Sequence, residues 1–290
     1  MPELPEVEVV KKSLEKEIKQ SAIKDIKIID GRLRYKVNKR KIRKLIGLRI
    51  SRVQRMAKYL LFHFNKKDLA MLIHLGMTGK FFIKKKNHRT KKTSFYYNES
   101  ENDIKHDRLI FFFKNNTKLI YNDVRKFGFI KVILNQEIKR NKHLNILGPE
   151  PLSINFNFNY FKISLEKKKD NIIKNLLMDQ KFVSGLGNIY VNEVLFLSNI
   201  SPQRLLKKLS DNEIKKILFN TKKILKKAIL FGGSSIKDFS NSIGKKGNFQ
   251  QHFNVYGRNG SKCSNTDCKG VIKKIKISNR SSFFCVKCQK

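Results

Sequence analysis

The first residues of the chain combine an amine with carboxylates in a pattern that suits covalent catalysis. Pro2 becomes the amino terminus if a methionine aminopeptidase removes Met1, which a small second residue permits. Its secondary amine is then free of a peptide bond, and since α-amino groups titrate near ~7.7–8.0, a useful fraction is uncharged at neutral pH. Such an amine can attack a sugar C1′ and form an iminium, while Glu3 donates a proton and Glu6 holds a water or accepts a proton.

The same residues also suit an ordinary helix start. Pro5 fits the first turn of a helix, and the acidic residues fit the positive end of its dipole. Apolar residues recur at helical spacing from Val7 to Ile18, so a helix is predicted here. The catalytic interpretation therefore depends on the rest of the chain.

All four cysteines lie in the last 28 residues, in two pairs that are typical of a metal site. Cys263 and Cys268 form the first pair, and Cys285 and Cys288 form the second. Two such pairs bind zinc tetrahedrally, and four thiolates close the coordination sphere, so the spacing predicts one structural Zn²⁺. A disulfide framework is the weaker alternative for an intracellular chain.

A hairpin is predicted between the cysteine pairs, from strands at 271–277 and 281–284. Arg280 then lies at the hairpin tip, where its guanidinium can bind a phosphate. Alternatively, Arg280 is an ordinary exposed turn residue.

Four further residue groups could serve a nucleic-acid site, although each also has an ordinary structural explanation. Lys58 lies among apolar neighbours and could bind phosphate or act with a shifted pKa, but lysines are abundant here. Met77, in a glycine-flanked turn, and Phe127, beside Arg125, could open a base stack, or they could be core residues. Asn188 follows a glycine-rich turn, where it could cap a helix that binds phosphate, or simply cap it.

Composition restricts the partners of the chain. The 290 residues include 64 Lys+Arg against 23 Asp+Glu, which gives a net charge of +41 and indicates DNA, RNA or an anionic membrane as partner. Part of this positive charge is explained by drift in nucleotide composition, which enriches the whole chain in Lys and Asn. Because the acidic amino terminus lacks a signal sequence and no apolar run approaches the ~20 residues of a membrane span, we expect a soluble protein in the cytoplasm.

The periodicity changes along the chain and predicts two domains. Short β-rich runs up to residue 134 suggest a β-sandwich or flattened barrel. Residues 135–152 resemble a linker, and helical spacing follows over 161–178 and 188–197 and after the capping box of Ser210 and Glu213. The stretch 232–251 is rich in glycine, serine and lysine and predicts a flexible loop.

Taken together, these segments resemble formamidopyrimidine-DNA glycosylases, bacterial base-excision repair enzymes for oxidised purines. The resemblance covers nearly the whole chain through motifs in the family's order: PELPEVE, RMAKYL, HLGMTG, KHD, NDVRKFG, LGPEPL, LMD, GLGNIYVNE, GGSS, VYGRNG and the cysteine pairs. It implies an α+β protein of two domains. The N-terminal β-sandwich with flanking helices would span 1–134, the linker 135–152, a helix–two-turn–helix domain 153–250 with a lesion-recognition loop at 232–251, and a zinc-ribbon hairpin 252–290.

The resemblance also implies a DNA glycosylase with lyase activity that acts as a monomer on double-stranded DNA in the cleft between its domains. Pro2 would be the Schiff-base nucleophile, and Glu3 the proton donor in base release. Lys58 would donate a proton in β-elimination, and Arg280 would do so, or clamp a phosphate, in δ-elimination. The implied DNA-binding residues are His106, Arg125, Asn188, Met77 and Phe127, and the metal ligands are Cys263, Cys268, Cys285 and Cys288.

Two positions depart from the family pattern. Val124 stands where a proline usually precedes the arginine, which predicts a looser turn. Near Asp170 the sequence is offset by one residue from the family pattern. Asp170 could occupy the place of the family's DNA-contacting lysine, so that contact is not assigned to a residue of this chain.

Two other functions fit parts of the sequence. An endonuclease VIII-like glycosylase for oxidised pyrimidines shares the fold and the amino-terminal Pro-Glu, but Leu4 and the loop at 232–235 favour the purine branch. A non-catalytic zinc-ribbon protein would explain the charge and the cysteines equally well.

Overall fold

The chain folds into two compact units, which we describe separately. The computed structural model describes residues 1–65, 68–85, 91–93, 104–234 and 249–290. The first unit comprises Met1–Asn145 with Gly232–Asn248, and the second comprises Ile146–Phe231 with Phe249–Lys290. Most of the loop expected at 232–251 lies outside the described residues.

The first unit begins with helix α1, Leu4–Ile18, as the apolar spacing predicts. Its first turn is buried on all sides, and the buried apolar residues Leu4, Val7, Val10, Leu14 and Ile18 are spaced three or four apart, so they form one face of the helix. A shorter helix, α2, covers Lys39–Arg43, where Asn38 caps the amino end by accepting a hydrogen bond from the Lys41 N–H group. The sequence pattern did not indicate α2.

Nine strands complete the described part of the first unit. They are β1 Ile23–Ile28, β2 Ile50–Met56, β3 Tyr59–Phe64, β4 Leu69–His74, β5 Gly79–Lys84, β6 Lys91–Lys92, β7 Asp107–Phe113, β8 Lys118–Asp123 and β9 Phe129–Leu134. One sheet has the order β1-β7-β8-β5-β6 and the other β2-β3-β4-β9, with antiparallel neighbours throughout.

Both sheets and α1 share a single apolar core. Phe62 of β3, Phe81 of β5 and Phe111 of β7 are at most 1% exposed and belong to one cluster with the inner face of α1. The predicted β-sandwich is thus confirmed. Strands β5 and β6 were not predicted, because β5 begins within its glycine-flanked turn and β6 is only two residues long.

The second unit is built on helices α3 Phe158–Glu166, α4 Ile173–Met178, α5 Asn188–Leu197 and α6 Asp211–Leu230. Helix α5 is buried on nearly every side, as its almost uniformly apolar sequence requires. Helix α6 begins with the predicted capping box, in which the Glu213 carboxylate accepts the Ser210 N–H group and the Ser210 hydroxyl accepts the Glu213 N–H group.

The prediction of one helix over 161–178 is wrong. Helix α3 ends at Glu166, and a turn at 167–172 separates it from α4. Asp170 lies in this turn, exposed, and forms an ion pair of 2.9 Å with Lys207. Tertiary contacts fix this turn: the Lys207 N–H group donates to the Lys169 carbonyl at 3.0 Å, and Lys168 forms an ion pair of 2.8 Å with Asp179.

A β-hairpin ends the second unit, with strands β10 Ile272–Ile277 and β11 Arg280–Cys285. Ser278 and Asn279 form its tip, both with positive φ. Arg280 therefore begins β11 beside the tip rather than within it. Among the described residues, no helix is both long and apolar enough to cross a lipid bilayer.

Candidate functional site

The residues that follow Met1 are buried in the first unit, whereas Met1 itself is 41% exposed. Pro2 is buried, and Glu3 and Glu6 are 3% and 1% exposed. The Glu6 carboxylate accepts the Glu3 N–H group at 2.9 Å through one oxygen. Its other oxygen accepts the N–H and hydroxyl groups of Ser234 at 2.8 and 3.0 Å. Glu6 therefore ties the amino terminus to the first residues of the 232–251 segment, a role that the sequence did not indicate.

The surroundings of the terminal amine favour its neutral form. Burial lowers the pKa of the Met1 amino group, and the nearby carboxylates of Glu3 and Glu6 only partly oppose this effect. The cations of Lys58 and Arg125 lower the same pKa further. A neutral amine is the nucleophilic form, so this position suits an amine that must react near neutral pH.

Lys58 lies in the tight turn between β2 and β3 and is 6% exposed. Ala57, just before it, has a positive φ of 51°. The turn is fixed by Arg55, whose guanidinium donates to the Ala57 carbonyl at 3.0 Å and to the Glu8 carboxylate at 2.6 Å. Lys58 is thus a buried cation on a rigid turn that influences the terminal amine.

Met77, Arg125 and Phe127 come together although two separate turns carry them. The Arg125 guanidinium lies 3.2 Å from the Met77 sulfur and 4.5 Å above the Phe127 ring. Met77 and Phe127 are 39% and 45% exposed, so they are not core residues. An arginine stacked between two exposed apolar side chains has the composition of a wedge for a base stack.

The backbones of the two turns also touch. A Cβ atom on Gly76 would lie 2.4 Å from the Phe127 carbonyl carbon, so only glycine permits this approach. His74 supports the first turn by accepting the Gly76 N–H group at Nδ1. Burial, together with the neighbouring Lys58, lowers the pKa of His74 to about 4, so the ring is neutral and keeps this acceptor. The sequence pattern did not single out His74, although it directly precedes the turn.

His106 lies in a short 3-10 helix, Ile104–His106, that leads into β7. Its Nδ1 lies 3.2 Å from the Arg108 guanidinium, which also donates to the Asp123 carbonyl at 2.9 Å. His106 is therefore connected to the turn that carries Arg125.

Asn188 and Arg280 belong to the second unit, where α5 meets the hairpin. The cap of α5 is Gly187, so the predicted capping role of Asn188 is wrong. Its side-chain amide instead donates to the Ser281 carbonyl at 2.8 Å, next to Arg280. Lys174, which the sequence did not indicate, is 1% exposed and donates to the same carbonyl at 3.2 Å. Burial and Arg280 lower the pKa of Lys174 to about 8.

The four cysteines form a cluster that fits a tetrahedral ion. The Sγ atoms of Cys263 and Cys288 are 3.7 Å apart, as are those of Cys268 and Cys285, and all four lie within 4.8 Å of one another. Tetrahedral zinc, with Zn–S bonds of about 2.3 Å, needs sulfurs about 3.8 Å apart. No cysteine forms a disulfide. The donor set therefore fits one structural metal ion and excludes the disulfide alternative.

Close packing around the cluster requires glycine. A Cβ on Gly270 would lie 2.6 Å from the Cys285 sulfur, and the Gly270 N–H group donates to the Cys268 sulfur at 3.3 Å. Glu193 of α5, which is 0% exposed, accepts the N–H groups of Asn254, Val255 and Tyr256 and so joins the helix to the start of this segment.

Known proteins resemble the chain over its whole length. The family model of the formamidopyrimidine-DNA glycosylase N-terminal domain matches residues 1–130, and that of the formamidopyrimidine-DNA glycosylase H2TH domain matches residues 147–240. A formamidopyrimidine-DNA glycosylase of Rickettsia bellii (strain OSU 85-389) is 41% identical over 290 residues, all of both chains. A formamidopyrimidine-DNA glycosylase of Rickettsia felis is 39% identical over 289 residues, and the match covers all of this chain and 98% of that protein.

Solved structures show the same fold. The Lactococcus lactis Fpg, solved in complex with DNA containing an abasic site, is 35% identical to this chain, and the two structures align with a TM-score of 0.84 over 99% of each chain. A mutant of that protein in complex with DNA containing Fapy-dG is 35% identical, with a TM-score of 0.85 over all of each chain.

Proposed function

Because the chain belongs to the formamidopyrimidine-DNA glycosylase family, a family of DNA glycosylases that act on damaged DNA, we propose that it removes oxidised purines from duplex DNA and then cleaves the strand. The substrates would be 8-oxoguanine and formamidopyrimidines. The observation that carries this proposal is the amino-terminal segment, in which Pro2, Glu3 and Glu6 are buried and the pKa of the Met1 amino group is lowered by burial, although the charges of Glu3 and Glu6 oppose this effect. A scaffold that only binds nucleic acid has no need of such a group.

The first chemical step is exchange of the base for the protein amine. With Met1 removed, the neutral Pro2 nitrogen attacks C1′ and the glycosidic bond breaks. The leaving base and the O4′ of the opened ring each take up a proton, one supplied by Glu3 and the other by the N–H group of Pro2. The product is an iminium between Pro2 and C1′. Binding of the DNA backbone by the basic surface needs no sequence information, which suits an enzyme that must act at any lesion.

Two eliminations then cut the strand. Loss of a proton from C2′ of the iminium breaks the C3′–O bond, with Lys58 as proton donor, and a second elimination breaks the C5′–O bond, with Arg280 as donor or phosphate clamp. Hydrolysis of the remaining iminium releases Pro2. In the same proposal Met77, Arg125 and Phe127 fill the vacancy left by the extruded base, and His106 and Asn188 bind the backbone.

One zinc ion is proposed at Cys263, Cys268, Cys285 and Cys288, where it would stabilise the hairpin that carries Arg280. The proposed domains are a catalytic domain 1–134, a linker 135–152, a helix–two-turn–helix domain 153–250 and a zinc finger 252–290. We further propose that the protein acts as a monomer in the bacterial cytoplasm.

The substrate proposal is tested with matched duplexes that contain 8-oxoguanine or thymine glycol. We expect excision of 8-oxoguanine to be faster by about tenfold or more, a difference of about 1.4 kcal/mol in activation free energy. Single-turnover cleavage followed on denaturing gels measures both rates. Faster excision of thymine glycol would instead indicate an enzyme for oxidised pyrimidines. If neither duplex is cleaved, the remaining interpretation is a protein that binds nucleic acid without catalysis.

Replacing Glu3 with glutamine is expected to separate base release from strand cleavage. Excision of 8-oxoguanine should fall by about 10²-fold or more, the usual effect of losing a general acid. A duplex with a preformed abasic site should still be cut within about tenfold of the wild-type rate, because its base has already left. Glu15→Gln, which removes a surface partner of Lys11, is the matched control. Equal losses on both duplexes would contradict the role given to Glu3.

A further inference from the structure

The hydroxyl of Thr78 connects the two turns that carry Met77, Arg125 and Phe127. Thr78 Oγ1 donates a hydrogen bond to Asp123 Oδ1 and accepts one from the Arg125 N–H group at 3.0 Å. Residue 78 directly follows Met77, residue 123 ends β8, and residue 125 lies in the second turn, which follows that strand. One hydroxyl therefore fixes the distance between the two turns.

Asp123 anchors this connection in the protein interior. Its side chain is 0% exposed. Its second carboxylate oxygen accepts the Gly128 N–H group at 2.8 Å and the Tyr121 hydroxyl at 3.3 Å. Thr78, which is bonded to Asp123, accepts the Arg125 N–H group near the start of the second turn. Gly128, which donates to Asp123 directly, follows Phe127 at the end of that turn. Buried carboxylates that accept several hydrogen bonds are rigid, because any movement leaves a charge unsatisfied.

The second turn needs such an anchor in this chain. Val124 precedes Arg125, so no proline ring fixes the backbone at this point. Lys126, in the middle of the turn, has a positive φ of 57°, which disfavours the observed conformation for a non-glycine residue. The turn is therefore held by contacts rather than by local preference: those with Thr78, Asp123 and Gly76, and an ion pair of 2.7 Å between Lys126 and Asp30.

We propose that Thr78 is a positioning residue for Met77, Arg125 and Phe127 and thereby sets how well they fill the vacancy left by an extruded base. The proposal rests on the proposed function. Arg125 contacts both Met77 and Phe127, so a shift of its backbone disturbs all three side chains together. The hydroxyl itself touches no reacting atom. Side chains that fill the vacancy lie against the base left opposite it. Loss of Thr78 should therefore affect base extrusion and the discrimination of that base, while the chemistry at the amino terminus stays intact.

The test compares Thr78→Val, which keeps the shape but loses the hydroxyl, with Thr78→Ser, which keeps the hydroxyl. Thr78→Ala is a second variant without the hydroxyl, in case the valine packs badly. The matched control is Thr93→Val, since Thr93 is 2% exposed and its hydroxyl donates to the Phe81 carbonyl of β5 at 2.8 Å. All variants are first compared by denaturant unfolding.

Three measurements are made on each variant. Base extrusion is followed by the fluorescence of 2-aminopurine placed opposite the lesion, excision of 8-oxoguanine is timed opposite cytosine and opposite adenine, and cutting of a preformed abasic site is timed separately. Thr78→Val and Thr78→Ala should slow extrusion and excision by about tenfold, equivalent to about 1.4 kcal/mol, and should reduce the preference between opposite bases. Abasic-site cutting should change by less than about threefold, since no base has to be unstacked.

Rescue by serine is the critical result. Thr78→Ser should stay within about twofold of the wild type in every measurement, as should Thr93→Val. The proposal is overturned if Thr78→Val behaves like the wild type, if serine does not rescue, or if Thr93→Val loses as much. A wild-type protein that excises no lesion at all would instead count against the proposed function.

Discussion

Replacing Pro2 with glycine should abolish strand cleavage while DNA binding is retained. A secondary amine yields an iminium with no N–H proton to lose, so its positive charge persists and acidifies C2′ for elimination. Glycine offers a primary amine, and it also lacks the ring that fixes the direction of the nitrogen. We expect cleavage of an 8-oxoguanine duplex to fall on the order of 10³-fold, about 4 kcal/mol in activation free energy.

The measurement pairs single-turnover cleavage with binding to an uncleavable duplex, followed by fluorescence anisotropy. Pro5→Ala is the control, because Pro5 is also a buried proline of the same segment but its nitrogen lies within the chain. It should cleave within about threefold of the wild type. Wild-type cleavage by Pro2→Gly would show that neither the secondary amine nor its ring is needed for the reaction, and loss of binding would show a folding defect instead.

Replacing Cys285 with serine is expected to disrupt the hairpin that carries Arg280. Cys285 is 0% exposed and packs with Phe196, Val255 and Phe283, so it is both a proposed ligand and part of a small core. Structural zinc sites contribute about 10–16 kcal/mol of binding free energy that is coupled to folding. With three cysteines left, most of this stabilisation is lost, and affinity for abasic-site DNA should fall by about 10²-fold through loss of the phosphate contact.

Metal content by mass spectrometry and DNA affinity by anisotropy measure these two effects. Val286→Ser is the control, because Val286 is 43% exposed beside the same ligand and should keep one zinc per chain. Removal of the metal from the wild type by a chelator should reproduce the loss of affinity. If Cys285→Ser retains stoichiometric zinc and full DNA affinity, the structural role of the metal is contradicted.

The sequence predicts those elements that have a strong local signal. Helix α6 begins at the Ser210 capping box, and the strands at 59–64 and 129–134 have the predicted bounds. The cysteine pairs predict the metal cluster because their spacing alone limits where the sulfurs can lie. In contrast, α3 and α4 were predicted as one helix, since the apolar spacing continues across a turn that tertiary contacts impose.

Contacts between distant residues were not predictable from one sequence. Nothing near Glu6 indicates that its carboxylate binds Ser234, and nothing near Thr78 indicates Asp123 as its partner. Lys174 looked like one lysine among many, and only its burial beneath the Ser281 carbonyl distinguishes it. Local patterns thus predict which residue types could act, whereas the fold determines which of them meet.

The most direct test of the account is reduction with borohydride during the reaction with 8-oxoguanine DNA. The intact mass of the protein first shows that Met1 is absent. Reduction should then join protein and DNA covalently, and peptide mapping should place the adduct on the nitrogen of Pro2. An adduct on a lysine, or no adduct from protein that lacks Met1 and cuts the duplex, would contradict the central claim.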